Sequence, residues 1–296
     1  MKVLFLFIFV IFILAGCEKE APDNRPFGVV LAVDDGYIDQ WYEYIDYFTE
    51  HDVRLTFYIT RYPWFTPEQK EKVRQLEERG HEIGFHGTKH ENAAEYIVKH
   101  SLEEYLQKEI FTGLDSMRAD GFNVCHFAYP YGISNKALDT LLMNTFLSIR
   151  KISWISESKK VKDLEDIYYP IPCSDKIICG ACIDSGCNTP LSDIYEAIEI
   201  ASVNKKALLL FCHRLGDFGG YSIPVQRMKS LVQYCYDHKV PMISLGEMYG
   251  SRRKPLKTSI TRIPGAADID FVSLSQQHRK PWLQDFRSRR LRAPKA

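Results

Sequence analysis

GVVLAVDDG, residues 28–36, decides how the chain is read. Apolar residues run from 28 to 33 with no polar interruption, so the strand they form needs cover on both faces. That is the mark of a parallel sheet lying beneath helices. Two adjacent carboxylates, Asp34 and Asp35, follow at the carboxyl end of the strand. No Gly-rich phosphate loop comes after it, which argues against a nucleotide-binding sheet.

Comparable runs recur along the chain. They are VRLTFYI (53–59), HEIGFH (81–86), VCHFAY (124–129), FLSIRKI (146–152), IYYPIP (167–172), ALLLFC (207–212) and PMISL (241–245). Amphipathic helices are expected between them, over residues 38–50, 67–80, 101–120, 135–144, 192–203 and 224–238. Thr66 caps the second of these, with Pro67 at its first position. Ser101 and Glu104 form a capping box for the third. Its apolar stripe is Leu102, Leu106, Ile110, Leu114 and Met117. The fold class is therefore α/β. Seven to eight strands alternating with helices suit a (β/α) barrel, distorted or incomplete, with an open doubly wound sheet as the alternative.

In such a barrel, function gathers where strands end. Asp34 and Asp35 end the first strand. His86 and His90, in GFHGTKH (84–90), follow the third. Pro130 and Tyr131 follow the fourth, and His213 ends the penultimate one. Two imidazoles and one carboxylate with open positions suit a catalytic divalent cation. Of two adjacent acids, one binds the metal and its neighbour acts as the base for water.

Four motifs, VDDG (33–36), GHEIGFHGTKH (80–90), YPYG (129–132) and LLLFCH (208–213), occur in an order that resembles the NodB-homology polysaccharide deacetylases, carbohydrate esterase family 4. The resemblance runs from Phe27 to Leu245. It implies a distorted or incomplete barrel of the polysaccharide deacetylase type. It makes Asp34 the general base, and Asp35, His86 and His90 the metal ligands. Zinc comes first, with cobalt, nickel, iron and manganese as alternatives. His213 becomes the general acid. The Pro130–Tyr131 segment holds the oxyanion through the Tyr131 N–H, and Leu210 or Phe211 lines the acetyl pocket. The substrate implied is an acetylated glycan, with N-acetyl groups of N-acetylglucosamine first. The alternatives are an O-acetyl, xylan-type esterase and a glycan-binding lipoprotein without turnover. Two positions depart from the pattern. Ala128 stands where many members carry the arginine that fixes the base, and Arg150 is the candidate substitute. Trp154 has no aspartate beside it.

The 296 residues, 45% hydrophobic and 26% charged, leave room for one large α/β domain or two small ones. A formal net charge of +0 gives no reason to expect a nucleic-acid partner. Lys2 precedes an apolar run over residues 3–15, shorter than the roughly 20 residues that span a bilayer as a helix. It reads as an export signal. Leu14-Ala15-Gly16-Cys17 resembles a bacterial lipobox. Residues 1–17 are thus expected as a lipoprotein signal, Cys17 as the lipidation site and 18–26 as a linker. A barrel domain over 27–250 would then be anchored to a membrane of the cell envelope. Residues 251–296 carry twelve Lys or Arg against three Asp. They are expected as a disordered extension, and their charge suits anionic lipid or cell-wall polymer. Cys173, Cys179, Cys182 and Cys187 crowd an expected insertion at about 173–190, read as disulfides or a structural zinc site. Nothing in the sequence sets an oligomeric state.

Overall fold

Strand β1 (Gly28–Asp34) is paired along both edges, and that pairing closes the sheet. The computed structural model describes residues 26–156 and 159–250. Its parallel strands are β1, β2 (Thr56–Ile59), β3 (Glu82–Phe85), β4 (His126–Ala128), β5 (Ser148–Ser153), β6 (Ile177–Cys182) and β7 (Ala207–Cys212). Each pairs with the next, and β7 returns to β1 in register from Gly28↔Ala207 to Val33↔Cys212. The result is a closed seven-stranded barrel, which excludes the open doubly wound sheet. A short strand β8 (Met242–Ile243) joins β1 at Val29 and Val30, below the point where β2 takes over at Ala32.

The two-residue period of a strand separates two cores. Val29, Leu31 and Val33 of β1 meet helix residues such as Leu76, Ile110, Leu114, Ile198 and Leu231 outside the barrel. Val30 and Ala32 turn inward to Tyr58, Ala128, Leu209 and Phe211. Helix Pro67–Glu78 starts at the reciprocal capping box of Thr66 and Gln69. The expected stripe from Leu102 to Met117 is buried, on a helical run that carries a π-turn at Leu106–Phe111. The helix expected over 38–50 breaks into Ile38–Tyr42 and Ile45–Glu50.

Two expectations need correction. IYYPIP supplies only the two-residue strand Tyr168–Tyr169, antiparallel to β7, because Pro170 and Pro172 have no N–H for a ladder. The barrel strand comes instead from the cysteine-rich segment, so residues 173–190 are not an insertion: β6 lies between β5 and β7. Within that segment Cys182 and Cys187 form a disulfide, while Cys173 and Cys179 are free thiols. The four sulfurs build no common zinc site among the described residues.

The expected leader with Cys17, the linker up to residue 25 and the basic tail 251–296 lie outside the described residues. Among the described residues no helix is long and apolar enough to cross a membrane.

Candidate active site

Asp34 and Asp35 are consecutive, yet both reach the same centre. In an extended strand neighbouring side chains point to opposite faces. Asp34 follows that rule and faces the barrel interior. Asp35 escapes it by adopting φ 77, a left-handed conformation that aspartate tolerates better than most residues. His90 (φ 68) and Tyr131 (φ 61) are likewise left-handed at this end of the barrel. Such conformations persist only where the surrounding structure imposes them, and they gather at functional sites.

His86 follows β3 and is buried. Its Nδ1–H donates to the Ala128 carbonyl at 2.9 Å, which fixes the tautomer and leaves a lone pair on Nε2. That nitrogen lies 3.8 Å from Asp34 Oδ2 and 3.8 Å from Asp35 Oδ1. His90 Nε2 lies 3.2 Å from Asp35 Oδ1. Burial pushes His86 down to about 4 and also lowers His90, so His86 is neutral near pH 7. Lone pairs then face one another across a small space. Asp34 Oδ1 and Asp35 Oδ1 are both buried without a hydrogen-bond partner. The ligand atoms of Asp35, His86 and His90 all lie within 4.8 Å of one another. A cation among them would satisfy every one, so this donor set fits a metal.

Arg150 is 1% exposed, an unusual depth for a guanidinium. It sits directly across from Ala128 in the β4–β5 register, so its charge enters the barrel one strand over from the expected arginine position. Its Nη2 donates to Asp34 Oδ2. Its guanidinium lies 4.4 Å from the Phe211 ring centroid and 5.4 Å from that of Tyr58. Gly180 of β6 lines the same space, where a Cβ would press on Leu209 at 3.3 Å and make ordinary contact with Arg150 Cδ at 3.6 Å. Burial alone would raise the Asp34 carboxyl. The positive charge of Arg150 and its hydrogen bond, joined by the charge of His213, outweigh burial and hold Asp34 below the usual carboxylate range.

His213, just past β7, is held by a residue that the sequence reading missed. Asp184 is buried and accepts twice: from the His213 N–H at 3.1 Å and from Nδ1–H at 2.5 Å. Trp41 Nε1–H donates to the His213 carbonyl at 2.8 Å. Burial would lower His213, but the bond to Asp184 and the negative charges of Asp34, Asp184 and Asp35 together raise it. Asp184 stands two residues beyond β6 and inside the Cys182–Cys187 bridge. Cys182, Asp184 and His213 also approach one another closely, but the sulfur is committed to the disulfide.

The remaining expected residues divide. The Tyr131 ring packs 4.8 Å from that of His90, and Pro130 is buried beside Gly87. Phe211 faces inward, under Arg150 and 5.8 Å from the His213 ring. Leu210 does not line the site, because strand alternation turns it into the outer core with the helices. Cys173 and Cys179 take no part in it. Trp154 is exposed and supplies no partner to His213.

A closed parallel barrel with an acid pair, a histidine pair and a carboxylate-backed histidine at one mouth has the architecture of a hydrolase. Residues 21–145 match the sequence model of the family "Polysaccharide deacetylase". Over those residues the chain is similar to the polysaccharide deacetylases. Several solved structures share its fold, two of which follow. One is the chitin deacetylase from the fungal pathogen Colletotrichum lindemuthianum, 18% identical, with 77% of this chain and 89% of that chain covered at a TM-score of 0.50. The other is the Bc1960 peptidoglycan N-acetylglucosamine deacetylase, 16% identical, with 78% and 92% covered at a TM-score of 0.51. At that identity the likeness concerns the fold. No curated protein matches the chain.

Proposed function

We propose that this domain is a metal-dependent deacetylase of a carbohydrate polymer or oligosaccharide, acting first on N-acetyl groups of N-acetylglucosamine-containing glycan. The observation that carries the reading is the convergence of three pairs: His86 with His90, Asp34 with Arg150, and His213 with Asp184. Asp35, His86 and His90 would hold the cation. A bound divalent cation supplies an acidified water and a polarised acetyl carbonyl.

The chain's own residues supply the rest. Arg150 takes one oxygen of Asp34 and keeps the carboxylate ionised, leaving Oδ1 free to accept the proton of the attacking water. The water oxygen bonds to the acetyl carbon, and the carbon–nitrogen bond breaks. His213 gives its Nε2 proton to the departing nitrogen, while Asp184 keeps Nδ1 protonated and neutralises the imidazolium. The Pro130–Tyr131 turn beside His90 suits a backbone donor for the carbonyl oxygen. Phe211, beneath Arg150, walls the apolar side of the site. Acetate and a free amine leave.

Acetate release from chito-oligosaccharides and from acetylated xylan, each with and without chelator, tests the reading. Release from the amide substrate that stops on chelation and in Asp34→Asn is expected. Release that survives both defeats the mechanism, and release from xylan alone points to an O-acetyl esterase. Binding without release would mark a glycan-binding protein. Arg150 and Asp184, which fill the roles that Ala128 and Trp154 leave open, favour turnover. The proposal includes export and lipid anchoring at Cys17. A Cys17→Ser protein should then leave the membrane fraction.

A further inference from the structure

Behind the histidine loop lies a carboxylate that the proposed reaction does not use. Glu109 is buried in the π-turn Leu106–Phe111. A π-turn slips one extra residue into a helix and redirects the side chains around it, and such turns recur at functional sites. The partners of the Glu109 carboxylate are backbone groups. Lys89 N–H donates to Oε2 at 2.8 Å, and Glu91 N–H donates to Oε1 at 2.7 Å. These two residues flank His90. The Glu109 carbonyl also accepts from the Thr88 N–H at 2.8 Å and from the Thr88 hydroxyl at 2.9 Å. Thr88 Oγ1 in turn accepts from Gly113 N–H at 2.8 Å. One glutamate thus holds the backbone from Thr88 to Glu91, from which the His90 ring projects.

Two further observations point the same way. His90 sits at φ 68, a conformation that relaxes unless its neighbours are fixed. Gly87 sits at φ 83, and a Cβ there would stand 2.5 Å from Glu109 Oε1, so glycine leaves the carboxylate its place.

We infer that Glu109 is a positioning residue for the cation site, holding the Lys89–Glu91 backbone so that His90 Nε2 faces Asp35 and His86. The inference rests on the metal-dependent reading above. Outer partners that orient a metal ligand typically contribute roughly 10- to 100-fold in metal affinity.

The test measures zinc affinity by chelator competition on the full protein, Glu109→Gln and Glu109→Ala, with His90→Ala as the ligand control. Glu109→Gln keeps the shape but turns an amide donor toward one of the two N–H groups. It is expected to weaken zinc binding roughly 10- to 100-fold with parental circular dichroism, and saturating zinc should restore its acetate release. A folded Glu109→Gln with parental affinity overturns the inference and leaves the metal-dependent reading standing. A parent protein that binds no zinc overturns both. A measurement on the parent alone guards against variants that fail to fold. The Lys89 and Glu91 amides should exchange slowly with deuterium, and exchange at exposed-loop rates overturns the inference.

Discussion

Replacing Asp184 by asparagine isolates the electrostatics of the acid from its position. The asparagine oxygen can still accept the His213 N–H, now 3.1 Å from Asp184 Oδ1. The amide nitrogen then meets Nδ1–H, so a donor faces a donor where a carboxylate accepted at 2.5 Å. A hydrogen bond to a charged group contributes roughly 1.5–3 kcal/mol. At about 1.4 kcal/mol per unit, the imidazolium should lose roughly 1–2 pKa units. The same loss, felt when the proton moves to nitrogen, lowers kcat by roughly 10- to 150-fold with KM little changed. The sign on the pH axis follows. His213 is raised above its ordinary 6.5, so the protonated acid persists past that pH and activity falls as pH rises through the raised value. In Asp184→Asn this alkaline limb should move to lower pH. Acetate release followed across pH reads the limb, and the NMR titration of the His213 ring reads the pKa directly. Parental kcat together with an unmoved limb would refute the role given to Asp184.

Other outcomes are equally concrete. Arg150→Met strands Asp34 in the barrel without its cation, so a stability loss of roughly 3–5 kcal/mol is expected in chemical denaturation. The acid limb of activity should also move to higher pH. A parental denaturation midpoint would contradict the pairing. Reducing the Cys182–Cys187 bridge should lower kcat while the fold persists, because the bridge closes the turn that carries Asp184. Unchanged kcat after reduction, verified by thiol titration, would sink that expectation. His126 is buried on Ser148 at 2.7 Å, and burial holds it down to about 3 against an ordinary 6.5. Between those values the unfolded chain binds a proton that the folded one refuses. Stability should therefore fall as pH drops through that window, by about 1.4 kcal/mol per unit from this residue. A His126→Gln protein should show a shallower acid slope in circular dichroism, and an unchanged slope would count against the assignment.

Most of the barrel could be read from apolar runs because its strands are covered on both sides. The exceptions have physical causes. β6 reads as a cysteine-rich loop since Cys179, Gly180 and Cys182 interrupt its apolar run. The aromatic run at Tyr168–Tyr169 looks like a strand but is cut short by prolines. Asp35, His86, His90 and His213 were legible because reactive side chains at strand ends are conspicuous. Arg150 was legible as a charge inside an apolar strand, although only the register shows it standing across from Ala128. Asp184 was hidden because its strand was misread. With IICGAC taken as a strand, an acid two residues past its end would have been the obvious partner for His213. The choice between Leu210 and Phe211 turned on strand parity, which the register with β1 decides.

The seam between β1 and β7 joins segments some 180 residues apart in the chain. Such a distant pairing is among the slowest to form. A nascent chain stalled before residue 207 would present β1 with one unpaired edge, open to other strands. It would also lack His213, the proposed proton donor. The proposed turnover would then arrive all at once, when the last stave of the cask is set, and no product shortened before residue 207 should work slowly in its place.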